Sequence, residues 1–448
     1  MKKIGYLTIL IFVFMVTTSS MAWANEGTLD KGDNAWILAS AALVLLMTPG
    51  LCLFYGGLCS VKNIVNMLMM CFMCISIISV QWIFWGYTLS FGIDYGGFIG
   101  GLAKTGLRGI TPDSISEIAN TIPEYTFMIF QCMFAVITVA LVLGAVEGRM
   151  KFSAMLLFAP LFATAVYDPI CHWQWGGGWM GNWGILDYAG GLVVHVCCGA
   201  GALTLAVMLG PRKRKNITPP CNLPMVCLGA GLLWFGWFGF NGGSALAADG
   251  RAAFAFMATN TSAATAAFVW IVCEWLITGK PTFLGALTGA IAGLATITPA
   301  SGFVGPLGAV QIGIMAGVGC YFAVTKLKPL FGFDDALDVV GVHAIGGTIG
   351  TFAAGLYATE LVTGKGSGVY GFFIGWDMVG LTQLGKQCVG ILATWAFTVA
   401  VCIIIVLIVK YTVGLRTTEE EEEKGLDITQ HGEIAYHLQL ESVSTLRR

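Results

Sequence analysis

DYAGGLVVHVCCGAGAL, Asp187 to Leu203, reads as most of a membrane span, yet it opens on a carboxylate and carries an imidazole, His195. Hydrocarbon penalises both. A charged side chain at the centre of a spanning helix costs roughly 2.5–3.5 kcal/mol on insertion scales. The surrounding chain is equally apolar. It is 56% hydrophobic and only 11% charged, against about 25% charged residues in ordinary soluble domains. Apolar runs recur along almost its whole length, so the sequence specifies a polytopic membrane protein. The polar residues inside its spans are then the places to look for function.

Several classes are excluded early. The net charge is −2 and the basic residues lie in short loops, which argues against nucleic-acid binding. Most of the 14 Cys sit inside apolar runs, as Cys71, Cys74, Cys132, Cys197, Cys198 and Cys402 do. With no CxxC…CxxC or Cys/His ligand spacing, they read as small packing residues. There is no P-loop, so no direct coupling to ATP is expected. A haem redox protein is the rival that the buried histidines raise. Five His in all and no C-x-x-C-H disfavour it. No cofactor is expected.

Residues 1–24 stand apart. Lys2 and Lys3 precede an apolar core from Ile4 to Val16, and Ala22-Trp23-Ala24 supplies an A-x-A site. This is the pattern of a signal peptide, with an additional N-terminal helix as the alternative. Cleavage would place Asn25 outside. Eleven spans are expected near 34–58, 64–92, 124–146, 152–174, 187–209, 222–246, 252–277, 283–299, 304–324, 336–358 and 383–413. The membrane domain then covers 25–412 and a cytoplasmic tail 413–448. Loops assigned inside hold Lys62, Arg149, Lys151, Arg212, Lys213, Arg214, Lys215, Lys280, Lys326 and Lys328. Those assigned outside hold Lys104, Arg108, Arg251 and Lys365. This follows the positive-inside bias.

An internal echo organises these spans. VVHVCCGAG in the fifth and GVHAIGGTIG in the tenth each place Gly four residues after His (Gly199, Gly347), and each follows a carboxylate, read as Asp187 and Asp338. Five spans per half is an odd number, so the halves run in opposite senses. The expected fold is an all-α integral membrane protein of eleven transmembrane helices, with an inverted 5+5 repeat and a site at the midplane.

His431 and His437 fall in the tail, and His172 near the outer end of the fourth span. His195 and His343 remain as an intramembrane pair, one per half. Neutral imidazole offers one donor and one acceptor without a fixed charge. In LLWFGWFGFNGGSAL, Trp237, Phe240 or Asn241, and Ser244 share a helix face. Phe127, Phe130 and Phe134 do so in the third span, and Trp173, Trp175 and Trp179 cluster at the outer end of the fourth. Each cluster alone fits an interfacial aromatic belt. Together they outline an external cation site, since ring faces attract cations by roughly 0.5–2 kcal/mol.

At these residues the sequence resembles the ammonium transporter (Amt/Mep/Rh) family, of the bacterial kind. LLMTPGLCLFYGGL (45–58), FQCMFAVITVALVLGAVEGR (130–149), HWQWGGGW (172–179), DYAGGLVVH (187–195), GWFGFNGGSA (236–245) and DDALDVVGVH (334–343) carry the resemblance, as does the tail segment 413–436. It implies a homotrimer with one pore per subunit; the expected location is the cell inner membrane, and the external start and eleven crossings place the N-terminus outside and the C-terminus in the cytoplasm. It assigns ammonium recruitment to Trp175, Phe134 and Ser244, and a stacked gate to Phe134 and Phe240. His195 and His343 become the twin pore histidines, and Asp187 the buried acid that organises the recruitment site. It implies transport rather than enzymatic activity. The alternative is an ammonium sensor on the same fold. The implied partners are ammonium or ammonia, membrane lipids and a PII-type signal protein at the cytoplasmic face. Asp168 departs from the family pattern and is expected either to add negative potential at the pore mouth or to reach the outer interface.

Overall fold

The computed structural model describes residues 27–213 and 219–436. Segment 1–24, expected to be a signal peptide, and Arg214, Lys215 and His437 therefore lie outside the described residues. In lipid every backbone polar group must be satisfied within the chain, and helices do this segment by segment. The spans are α1 (Lys31–Leu58), α2 (Val61–Phe91), α3 (Glu124–Val146), α4 (Phe152–Trp183), α5 (Gly191–Leu209), α6 (Leu223–Gly243), α7 (Gly250–Thr278), α8 (Phe283–Ile297), α9 (Pro306–Phe331), α10 (Val340–Ala344 continued by Ile345–Tyr357) and α11 (Met378–Thr412). Side chains cap several of their free N-terminal N–H groups. Asp30, Asn222, Asp249, Thr282 and Asp377 accept at the starts of α1, α6, α7, α8 and α11.

The two halves repeat in detail. α4 and α9 each contain a π-helical turn (Ala163–Tyr167, Ala323–Leu327) followed directly by a polar residue and a proline, Asp168-Pro169 and Lys328-Pro329. Proline supplies no N–H to the turn before it, and a widened turn absorbs the mismatch. α5 and α10 each begin with a π-helical segment that bears the histidine (Gly191–Val196, Val340–Ala344). α1 lies along α6, its pseudo-symmetric partner. A Cβ on Gly229 would stand 2.3 Å from the Phe54 nitrogen, so only glycine permits that approach. α3 is almost wholly buried, and α11, outside the repeat, packs on α5 and α10.

Two expectations need correction. The fifth and tenth spans begin at Gly191 and Val340 rather than near 187 and 336. Asp187 and Asp335 sit in the turns just before them. The acid that echoes Asp187 is Asp335, not Asp338. Asp187 precedes His195 by eight residues, and Asp335 precedes His343 by the same eight. Asp338, with a positive φ of 61°, instead pairs with Lys328.

The face expected to be cytoplasmic is closed by the tail. Thr418 and Glu421 form a reciprocal cap on the short helix Glu419–Lys424. Lys62 donates to the Glu422 and Glu423 carbonyls at the end of that helix. Asp427 accepts from the Asn66 backbone, and Leu426 donates to the Asn63 side chain. Arg416 holds the Leu209 and Pro211 carbonyls and the Glu422 carboxylate. Beneath it, buried Arg149 donates to the carbonyls of Ala145 and Asp334, while the Asp334 carboxylate takes Arg212 at 2.8 Å. On the opposite face, loop 93–123 folds a short hairpin (Asp94–Tyr95 with Ile99–Gly100) over the end of α4. There His172 Nε2 meets Asp94 at 2.9 Å, and Trp173 donates to the Phe98 carbonyl.

Candidate functional site

The centre of the molecule is built where the broken helices α5 and α10 cross. Their closest approach depends on the two glycines of the internal echo. A Cβ on Gly199 would lie 2.4 Å from the Ala344 nitrogen and Cβ, and one on Gly347 would lie 2.8 Å from the Gly191 carbonyl oxygen and the His195 Cβ. Each glycine thus meets the histidine-bearing turn of the other half. This packing brings His195 Nδ1 and His343 Nδ1 to 3.2 Å, with ring centroids 5.2 Å apart and planes inclined by 23°. Both rings are buried. With both neutral, one Nδ1 donates and the other accepts.

Aromatic rings continue the line from this pair. Phe240 stacks on His195 at 6.2 Å and on Phe134 at 4.1 Å, the latter with planes at 28°. Phe134 meets Trp175 edge-on at 5.9 Å, and Phe130 at 4.9 Å. Trp237 stacks on His195 at 5.5 Å, its indole held by a 2.9 Å bond to Thr298. On the His343 side a cavity of about 50 Å³ opens, roomy enough for water-sized guests. Leu51, Phe54, Leu233, Ile291 and Val342 line it, and Asp338 stands at its edge.

Asp187 anchors the other end. Its two carboxylate oxygens accept from four backbone N–H groups, those of Gly190, Gly191, Leu192 and Val193, at 2.6 to 3.2 Å. These are the free donors at the start of α5, where the helix dipole also favours an anion. Trp175 donates to the Asp187 carbonyl at 2.9 Å, so the acid's backbone and the Trp175 indole are tied together. Ser244 caps the end of α6 and donates to the Phe240 carbonyl at 2.8 Å. Among the described residues, no hydrogen bond joins it to Trp175 or Phe134.

Asp168 does not reach the outer interface as an exposed group. It is fully buried, 2.8 Å from Gln81 Nε2 and 3.4 Å from Ser90 Oγ. Asp335 is less well supplied than its twin Asp187. It accepts from Val340 N, and its Oδ1 is buried without a partner. Burial, then the neighbouring Asp338, push its carboxyl up to about 6, against the pull of Lys328. A raised carboxyl lends stability in its neutral form. That contribution is complete below the ordinary value of about 3.9 and is lost as the pH rises through about 6. Asp335→Asn should therefore gain melting temperature relative to wild type between pH 4.5 and 7.5. A gap that stays constant over this range would disprove the assignment.

Sequence reasoning missed Asp335, which counting back eight residues from each histidine would have found. It also missed the stacking of Trp237 on His195 and the approach of Cys198 to both imidazoles.

Comparison with known proteins agrees on one family. The model described as the Ammonium Transporter Family matches residues 35–436. An ammonium transporter of Bacillus subtilis (strain 168) is 49% identical over 408 residues, covering 91% of this chain and 99% of the relative. One from Aquifex aeolicus (strain VF5) is 44% identical over 443 residues, covering 98% of this chain and 100% of the relative. Among solved structures, Saccharomyces cerevisiae Mep2 superposes with a TM-score of 0.83 at 38% identity, covering 93% of each chain. A sensor Amt protein superposes at 0.81 with 28% identity, covering 89% of this chain and 98% of that one.

Proposed function

This chain belongs to the ammonium transporter family, and from that membership we propose that it recruits ammonium at the outer face, strips one proton and passes ammonia between its two halves. The observation that carries the reading is the unbroken file of rings Trp175, Phe134, Phe240, His195 and His343, ending on a cavity. Stacked Phe134 and Phe240 leave no room for a hydrated ion. An intact cation stripped of water in an apolar passage meets a large solvation penalty. Ammonia does not, and K⁺ has no proton to lose. Asp187 holds the vestibule in shape and need not touch the substrate. Currents across a supported membrane bearing the purified protein, with ammonium and then K⁺, test this. Ammonium current without K⁺ current is expected, and equal currents would refute it.

The recruitment site should lose strength in modest steps. Ser244→Ala and Trp175→Leu each remove one partner of an exposed cation, worth about 0.5–1.5 kcal/mol. Half-saturation should rise about two- to tenfold with maximal flux retained. Complete loss of flux in a folded Ser244→Ala protein would assign the hydroxyl another task.

The working unit is a homotrimer in the cell inner membrane, with the C-terminus in the cytoplasm. A PII-type signal protein docks on the inner face, where Lys62, Arg212 and Lys213 stand beside Glu419, Glu422 and Glu423. Deletion after Arg416 should weaken that coupling more than transport, read by pull-down under changing nitrogen supply. The likeness to a sensor Amt protein favours one second reading, ammonium sensing on the same scaffold. A pure sensor would bind ammonium and carry no current.

A further inference from the structure

Folding adds a third ligand, from the other half, to the pair His195 and Cys198. One ligand atom from each of His195, Cys198 and His343 lies within 4.8 Å of the other two, and all three residues are buried. Cys198 lies one turn after His195, and its thiol donates to the His195 carbonyl at 3.4 Å. Its neighbour Gly199, packed on Ala344, fixes the distance to the other half. The two Nδ1 atoms stand 3.2 Å apart. Two nitrogens each about 2.0–2.1 Å from one metal ion, at tetrahedral to trigonal angles, are separated by roughly 3.3–3.6 Å. The imidazoles are therefore close to chelating distance as they stand. The Nε2 of His195 is buried without a partner, so the ring can turn without breaking another bond.

We propose that His195, Cys198 and His343 form a site for a soft monovalent metal ion, copper(I) or silver(I), seated across the passage. Thiol sulfur selects soft ions, and imidazole is compatible with them. Charge selects the valence. On binding, the S–H bond of Cys198 breaks, an S–metal bond forms and the proton leaves to water. No oxidation state changes. A thiolate, a monovalent cation and two neutral imidazoles sum to zero, so the filled site puts no net charge in the apolar centre. Zinc would leave one positive charge there, unpaired and costly. Among the described residues this is the one group of three or more such ligands; Cys52 and Cys71, side by side, offer two thiols and no imidazole. The filled site blocks conduction. That consequence rests on the transport reading, and the binding itself does not.

The test uses the purified full-length protein, reduced and in chloride-free buffer. It is loaded with silver(I) and desalted against a small monothiol, which competes for metal held by one thiolate alone. Silver per chain is then counted for wild type, Cys198→Ala, the isosteric Cys198→Ser, and the double variant His195→Leu with His343→Leu. Wild type should retain one more silver ion per chain than any folded variant. In membranes, silver should abolish the wild-type ammonium current and spare that of Cys198→Ala. Equal silver counts in wild type and the cysteine variants would overturn the site. So would a double-histidine variant that retains the extra ion, since the thiol would then act alone. A protein carrying no ammonium current at all would refute the transport reading while the silver count still decided the metal site.

Discussion

Replacing His343 with Glu is expected to lower the ratio of ammonium to K⁺ current about tenfold or more while conduction persists. Each tenfold corresponds to about 1.4 kcal/mol of changed discrimination. The imidazoles of His195 and His343 give the passage hydrogen-bonding partners without charge, one ring bonded to the other at 3.2 Å. A carboxylate at the same point offers a permanent negative charge beside a cavity already large enough for water-sized guests. It draws water and bare cations into the passage, and a cation that keeps its solvation no longer has to lose a proton. The opposite change, His195→Leu with His343→Leu, removes both polar stepping stones and should sharply reduce any proton-linked current. Full selectivity at normal flux in His343→Glu would mean that discrimination is complete above the histidines, at Phe134 and Phe240 or at the vestibule.

Asp187→Ala is expected to abolish folded protein or nearly so. The side chain is the acceptor for four buried N–H groups, and each left unsatisfied costs roughly 1–3 kcal/mol. Even partial rearrangement leaves a loss of about 5 kcal/mol, comparable with the whole stability of many domains. The damage extends to the vestibule, because Trp175 is held on the Asp187 carbonyl. Asp187→Asn keeps one oxygen acceptor and should retain more yield, with lowered activity. Detergent-solubilised yield and melting temperature decide the matter. An Asp187→Ala protein as stable as wild type would show that water replaces the carboxylate, and the structural role would fall.

The parts of the fold set by burial and periodicity were readable in advance. Eleven apolar runs, the histidine in each half and the glycine four residues beyond it are local patterns, and each marks a helix or a helix crossing. The span starts were less readable. At 187–190 (DYAG) and 334–339 (DDALDV) each stretch runs directly into an apolar span, and only the backbone N–H groups that Asp187 and Asp335 accept mark where the helix starts. Asp338 misled because it is nearer to His343 in sequence, whereas its backbone and its ion pair with Lys328 turn it elsewhere. Asp168 was unreadable for another reason. Its partners, Gln81 and Ser90, both come from α2, and no spacing within α4 announces them. Cys198 is the same case, since its second imidazole arrives from the other half.

The docked tail imposes an order on the making of this protein. Its partners extend from Lys62 and Asn66 through Arg149 to Arg212, Lys213 and Asn222, all synthesised before most of the second half of the repeat. At elongation rates of about 5–20 residues per second, those groups wait on the order of tens of seconds for the donors and acceptors of residues 416–436. Until then the Asn63 side chain and the Asn66 backbone face water or a chaperone. Residues 416–436, made late, therefore finish loops made early. A chain ending at Thr412 would hold every span and every ring of the passage, yet present an unfinished inner surface to the proteases that survey nascent membrane proteins.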